Sequence, residues 1–314
     1  MDTFEVDTLL KEYTDRTHLG QGSFGKVYKA KNTQGKDVVI KVIRFQTRSH
    51  PPLDDCKNNE INVLEKLKEE THCRDTLCLE VSFTQNMYTV LIYTWVADSC
   101  RLDPDKFDPD TEVPVLLPLL ADGLALLHNA KIVHNDIKPE NIMLVLPEPE
   151  DQRQYAYFID FGLACHPVSE KCPCFENGGT LLYMAPEVLK GSSVWTFENL
   201  KRCDIFSLGV VFYELRHQKH PVSVNEPNHW NLHNAWNRRP RPDLKDYLKS
   251  STLNDIHLIA IDYLIEGMLS YSPEKRPTIA QVVTALKTDM SEMTNIEDAI
   301  QTLLITYDYD ATQQ

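Results

Sequence analysis

Ile132-Val133-His134-Asn135-Asp136-Ile137-Lys138-Pro139-Glu140-Asn141, followed shortly by Phe158-Ile159-Asp160-Phe161-Gly162, is the stretch on which the reading of this chain turns. One loop holds a carboxylate (Asp136), an amine (Lys138) and an amide (Asn141), and a second carboxylate (Asp160) follows after a strand. That set is suited to moving a phosphoryl group. One Asp can take the proton of a hydroxyl nucleophile. The other Asp and the Asn can hold magnesium against phosphate oxygens, while the Lys neutralises charge on the group in flight.

Upstream lies Leu19-Gly20-Gln21-Gly22-Ser23-Phe24-Gly25-Lys26-Val27-Tyr28. Three glycines at this spacing let backbone amides approach a triphosphate. The bare pattern is also found in dinucleotide folds, where it runs into a helix. Here Val27-Tyr28-Lys29-Ala30 continues as a second strand, so the expectation is a strand-loop-strand lid. Lys41 sits inside the apolar strand 37–43, where a charge needs a partner; the alternative is a solvent-facing Lys on an edge strand. Glu60 is the expected partner, because Ile61, Leu64 and Leu67 mark the buried side of a helix and Glu60 lies four residues before Leu64. Glu65 would point away from that side. Further strands are expected over 78–83 and 88–96, and helices over 112–130, 255–269 and 278–287. The helix over 112–130 carries Leu116, Leu119, Leu120, Leu124 and Leu127 toward the core.

Taken together, these residues resemble the protein kinase family. His134-Asn135-Asp136 stands where that family has His-Arg-Asp, Asp160-Phe161-Gly162 is its magnesium-binding triplet, and Gly179-Thr180 through Ala185-Pro186-Glu187 resembles the end of its activation segment. The resemblance implies an α+β, bilobal, protein-kinase-like fold, with an N-terminal arm (1–13), a β-rich small lobe (14–96), a mainly helical large lobe (97–290) and a C-terminal tail (291–314). It implies ATP and Mg2+ as cofactors and transfer of the γ-phosphoryl group to Ser/Thr hydroxyls of protein substrates. Asp136 would be the base, Lys138 the phosphate-neutralising amine, and Asn141 and Asp160 the metal ligands. Lys41, clamped by Glu60, would hold the α- and β-phosphates, and Thr180 would bridge Asp136 and Lys138. The nucleotide would meet Leu19 to Val27, then Val39, Tyr93 at the gate of the adenine pocket, Thr94 and Val96 in the hinge, and Met143 beneath the base. Asp98 is read either as a ribose ligand or as a solvated loop residue. His134, Asp204 and a Glu187–Arg276 pair would be scaffold. Lys138, where tyrosine kinases usually carry Ala-Arg motifs, favours the Ser/Thr class; Thr180 and the Ala-Pro-Glu segment disfavour a kinase for small molecules or lipids, and the intact Lys41, Asp136, Asn141 and Asp160 argue against a kinase-fold module that only binds.

Asn135 departs from the family's Arg, which pairs with a phosphate on the activation segment. With Ser169, Thr180 and Tyr183 as the only hydroxyls there, activity is expected not to require phosphorylation of that segment. Cys165, His166, Cys172 and Cys174 are either a zinc set or free thiols in a loop. Residues 222–242, with Trp230, Trp236 and Arg238-Arg239-Pro240-Arg241, are read as a loop over the large lobe or a partner surface.

The formal charge of −14, from 32 basic and 46 acidic groups, disfavours nucleic acid as a partner. Eight cysteines in 314 residues are too dilute for a disulfide scaffold. No secretory leader, C-terminal lipidation box or membrane-length apolar run is recognised, and 113–127 is interrupted by Pro118 and Asp122. The expectation is a reduced, cytoplasmic or nuclear protein without a membrane anchor.

Overall fold

The alternation along β3 (Asp37–Arg44) sends Val38, Ile40 and Val42, all fully buried, to one face and Val39 and Lys41 to the other. β3 is the centre of a five-stranded antiparallel sheet with β1 (Thr14–Gly22), β2 (Gly25–Lys31), β4 (Leu79–Gln85) and β5 (Tyr88–Thr94), in the order β1-β2-β3-β5-β4. The computed structural model describes residues 3–22, 25–44, 53–71, 77–85, 87–145, 147, 154–166, 179–191, 196–242, 256–289, 298 and 300.

The two faces of this sheet are covered differently. A short helix, α1 (Thr3–Leu9), lies on the outer face, where Val6, Leu9 and Leu10 are buried with Val38, Ile40, Val90 and Ile92. The arm expected ahead of the sheet thus supplies part of the small lobe's core. The other face is served by α2 (Leu53–Glu70), whose Val63, Leu64 and Leu67 are fully buried while Glu65 is exposed. Ile61 is only partly buried. The strand leading to the hinge ends at Thr94, two residues short of the expected Val96.

A three-stranded sheet follows, with β7 (Ile142–Val145) between β6 (Ser99–Arg101) and β8 (Tyr155–Phe158). It packs on α3 (Val113–Asn129), which buries Leu116, Leu117, Leu120, Leu124 and Leu127; Leu119 is only partly buried. The large lobe is completed by α4 (Pro186–Leu189), α5 (Phe197–His217), α6 (His229–Arg238), α7 (Ile256–Met268) and α8 (Ile279–Lys287). α8 packs on α3, and α7 on α5. From the tail, Ile300 is buried in the same large core.

Several expectations are corrected. Residues 229–238 form a helix, because Asn228 caps it by accepting from Asn231 N and because Leu232 and Trp236, four residues apart, are both buried. Trp230 on this helix remains 72% exposed. Ile132 and Val133, buried ahead of the central loop, belong to no named strand, and Val133 makes one isolated bridge with Cys165. Cys78 is disulfide-bonded, against the expectation of a reduced chain, while among the described residues Cys100, Cys165 and Cys203 are free. Among the described residues, no helix is long and apolar enough to cross a membrane.

Candidate active site

The glycine turn is built by β1 and β2, with Gly22 opposite Gly25. Only glycine fits at position 25, since a Cβ there would lie 2.2 Å from the Val42 carbonyl oxygen. Ser23 and Phe24 lie outside the described residues. Val27 pairs with Lys41, and Val39 with Tyr93, so these four side chains share one face of the sheet. Lys26 pairs with Val42 and therefore sits on the other face. Gly20 and Gln21 continue β1 toward the turn, and Leu19 is half-exposed beside them.

Lys41 is almost wholly buried. Its Nζ lies 2.7 Å from Glu60 Oε1 and 2.8 Å from Asp160 Oδ1. Burial works against the ammonium charge, but the two carboxylates overcome it and hold the Lys41 pKa above its ordinary value. Burial works against the Asp160 charge as well, yet Lys41 above all, with Lys138, holds that carboxyl below the usual range, so it is ionised at neutral pH. The Tyr93 hydroxyl is within 3.5 Å of Glu60 Oε1, and burial pushes its pKa well up.

The loop from His134 to Asn141 converges on the same place. Thr180 Oγ1 donates to Asp136 Oδ1 (2.8 Å) and accepts from Lys138 Nζ (2.7 Å). Lys138 Nζ is also 3.0 Å from Asp136 Oδ2. Asn141 Nδ2 donates to the Asp136 carbonyl oxygen (2.8 Å) and to its Oδ2 (3.0 Å), which leaves Oδ1 as the amide's acceptor end. Asp160 holds φ = 65°, a left-handed conformation that Asp tolerates better than most residues.

The scaffold under this loop is ionic and aromatic. Asp204 on α5 accepts from His134 N (2.8 Å) and Asn135 N (2.9 Å), and its Oδ2 lies 3.1 Å from His128 Nε2. His128 had no role in the sequence reading, and its only local signal was a polar residue on the apolar side of α3. The His134 ring packs on Phe158 and Phe161. Its Nδ1 accepts from Asp136 N, and its Nε2 faces the Ile159 carbonyl, which only accepts. His134 is therefore a neutral scaffold residue with its proton on Nε2. Asn135, at φ = 64°, donates from Nδ2 to the Leu163 carbonyl (2.9 Å). Arg276, fully buried, forks onto both oxygens of Glu187 at 2.6 and 2.7 Å.

At the hinge, Thr94 pairs with Val38 and sits on the sheet's outer side, and its N–H is donated to the Cys78 carbonyl at 3.1 Å. Val96 is partly buried and accepts from Ser99 Oγ; Met143 is partly buried on β7; Asp98 is exposed. Cys165 is buried, and Cys172, Cys174 and Ser169 lie outside the described residues. Among the described residues, no group of three or more His, Cys, Asp and Glu could hold a metal.

Comparison with known proteins places the chain in a family. The chain is 27% identical over 304 residues to a G-type lectin S-receptor-like serine/threonine-protein kinase of Arabidopsis thaliana, covering 91% of this chain and 34% of that protein. It is 29% identical over 315 residues to the striated muscle preferentially expressed protein kinase of Danio rerio, covering 90% and 9%. It is also 27% identical over 281 residues to serine/threonine-protein kinase 10 of Danio rerio, covering 84% and 26%. The chain thus spans about a third or less of each of these relatives. Residues 13–286 match the model of the protein kinase domain, and the chain belongs to that family.

Proposed function

We propose that this chain is an ATP-dependent protein kinase that phosphorylates Ser or Thr hydroxyls of other proteins. The observation that carries the reading is the convergence of Asp136, Lys138, Asn141, Thr180, Asp160 and the Lys41–Glu60 pair on one cleft. Two of the relatives above are serine/threonine-protein kinases by name, which supports the class of acceptor.

Asp136 orients the acceptor hydroxyl and takes its proton as the new oxygen–phosphorus bond forms and the bond from the γ-phosphorus to the bridging oxygen breaks, ADP being the leaving group. Lys138 draws negative charge from the transferring group, and Thr180 fixes both side chains. Lys41 holds the nucleotide's inner phosphates. Glu60 keeps the Lys41 ammonium charged and aimed. The amide oxygen of Asn141 and the ionised carboxylate of Asp160 are hard oxygen donors, a set that fits magnesium completed by phosphate oxygens and water. When bound, the ion would neutralise phosphate charge and align the oxygens for in-line transfer.

The reading extends to regulation. A phosphate on the activation segment would find no cation at position 135, whose amide is already given to Leu163. Activity is therefore independent of phosphorylation there. Assay of phosphate-free protein decides this: turnover equal to that of the modified protein supports it, and an inert protein that wakes on modification at Ser169 overturns it.

The test of the main reading is transfer from γ-labelled ATP to a panel of peptides. Asp136→Asn loses transfer by about 10²–10⁴-fold while nucleotide still binds. Undiminished transfer by that variant would remove Asp136 as the base.

A further inference from the structure

The β4–β5 pairing is irregular. Leu79 faces Tyr93 and Val81 faces Ile92, so Glu80 is an extra residue, a bulge on the edge strand. A bulge re-aims the side chain it carries. Here Glu80 is turned onto the hinge, where its Oε1 accepts from Thr94 Oγ1 at 3.0 Å. The same oxygen accepts from Lys36 Nζ at 2.9 Å.

Lys36 closes the β2–β3 turn, and that turn is itself ordered: Asn32 Oδ1 accepts from Gln34 N and Lys36 N, and Gly35 supplies φ = 77°. The next hinge residue is held from the same lobe. Lys29 on β2 lies 4.1 Å from the Trp95 ring centre and 3.1 Å from Asp37 Oδ2. Below them, Ser99 Oγ donates to the Val96 carbonyl at 2.8 Å. The side chains of Thr94 and Trp95 are thus both engaged by small-lobe residues.

From this we infer that Glu80 is a positioning residue for the nucleotide's base. By gripping Thr94 from the sheet's outer side, it fixes the orientation of the hinge peptides 94–96; the Thr94 N–H is itself donated to the Cys78 carbonyl at 3.1 Å, and the peptide groups beyond it read the base edge. The inference rests on the nucleotide reading above. Glu80 touches no substrate; it acts through Thr94. Lys36 is over half exposed, so its pair is screened and contributes little. The hydrogen bond from Thr94 to the charged carboxylate is the effective part.

Mg-ATP affinity is measured by calorimetry, and KM and kcat by peptide assay, on the wild type, Glu80→Ala, Thr94→Val and the double variant. The expected result is a threefold or greater loss of ATP affinity in each single variant, no further loss in the double, and a Glu80→Ala kcat within twofold of wild type at saturating ATP. Lys36→Ala leaves ATP affinity within twofold. Unchanged affinity in Glu80→Ala, or additive losses in the double variant, overturns the role of Glu80. A fall in kcat without a change in ATP affinity also overturns it, because that marks general damage to the lobe. A wild type that binds no ATP overturns the nucleotide reading, and this inference with it.

Discussion

Asn135 Nδ2 lies 2.9 Å from the Leu163 carbonyl oxygen, joining the loop that carries Asp136 to the turn just after Asp160. The contact spans 28 residues of sequence, and the same nitrogen lies 3.8 Å from Cys165 Sγ. Asn135→Ala leaves that carbonyl without this donor. We expect a loss of about 0.5–1.5 kcal/mol of stability and a fall in kcat larger than any change in the KM for ATP. Urea unfolding and steady-state kinetics read the two effects, and an unaltered kcat would show that the contact is passive.

Arg276 is a buried cation whose partners are Glu187 and the carbonyls of Ser270 and Arg202. Removing one member of a buried pair leaves the other charge without compensation. Glu187→Ala is expected to cost about 3–5 kcal/mol, seen as a lower denaturation midpoint. Glu187→Gln, which keeps one acceptor, should cost less. Equal midpoints for the two variants would argue against the charge as the source.

Two glycines of the lid should respond differently to one methyl group. At Gly25 an added Cβ meets the Val42 carbonyl at 2.2 Å, whereas at Gly20 nothing lies within 4 Å. Gly25→Ala must push β2 from β3, for about 1–3 kcal/mol, and should also weaken ATP binding. Gly20→Ala should fold with near wild-type stability. Thermal unfolding of the pair distinguishes backbone crowding from a general intolerance of the lid.

A buried charge cluster between α5 and α7 sets an acid-range dependence. Burial, aided by Glu266 and Asp110 and opposed by Arg216, raises Asp262 to about 6. Its native form prefers the proton, so its contribution to stability is full at low pH and is lost as pH rises toward 6. Burial, with Arg216 and Lys219, lowers His217 to about 4. Its contribution has the opposite sign: present above its ordinary 6.5, and lost as pH falls toward 4. The two oppose each other between pH 4 and 6. Asp262→Asn therefore steepens the rise of unfolding free energy across that window. Urea titrations at several pH values test it, and parallel curves for the two proteins would contradict it.

The candidate site was legible wherever its residues are neighbours in sequence. Asp136, Lys138 and Asn141 lie within six residues, and phosphoryl transfer needs those side-chain types in one loop. Glu60 could be chosen over Glu65 because helical spacing places it with Leu64 and against the apolar side. The α6 helix was missed because its sequence, rich in His, Trp and Asn, has poor helix formers, and the signals that override them are a cap at Asn228 and the burial of Leu232 and Trp236 in another element's core. The burial of α1 was missed for a related reason: its apolar residues have meaning only against the outer face of a sheet formed later in the chain.

The sequence by itself determined which groups stand in the candidate site and in what order along the chain, since those offsets are carried by a few neighbouring residues. Only the tertiary structure decided how they are held. The Lys41–Asp160 contact spans 119 residues, the Asp204 clamp spans 70, and Glu80 reaches the hinge through a strand bulge. Contacts of that range depend on the direction of each backbone where the chain returns on itself, and no local pattern encodes that direction.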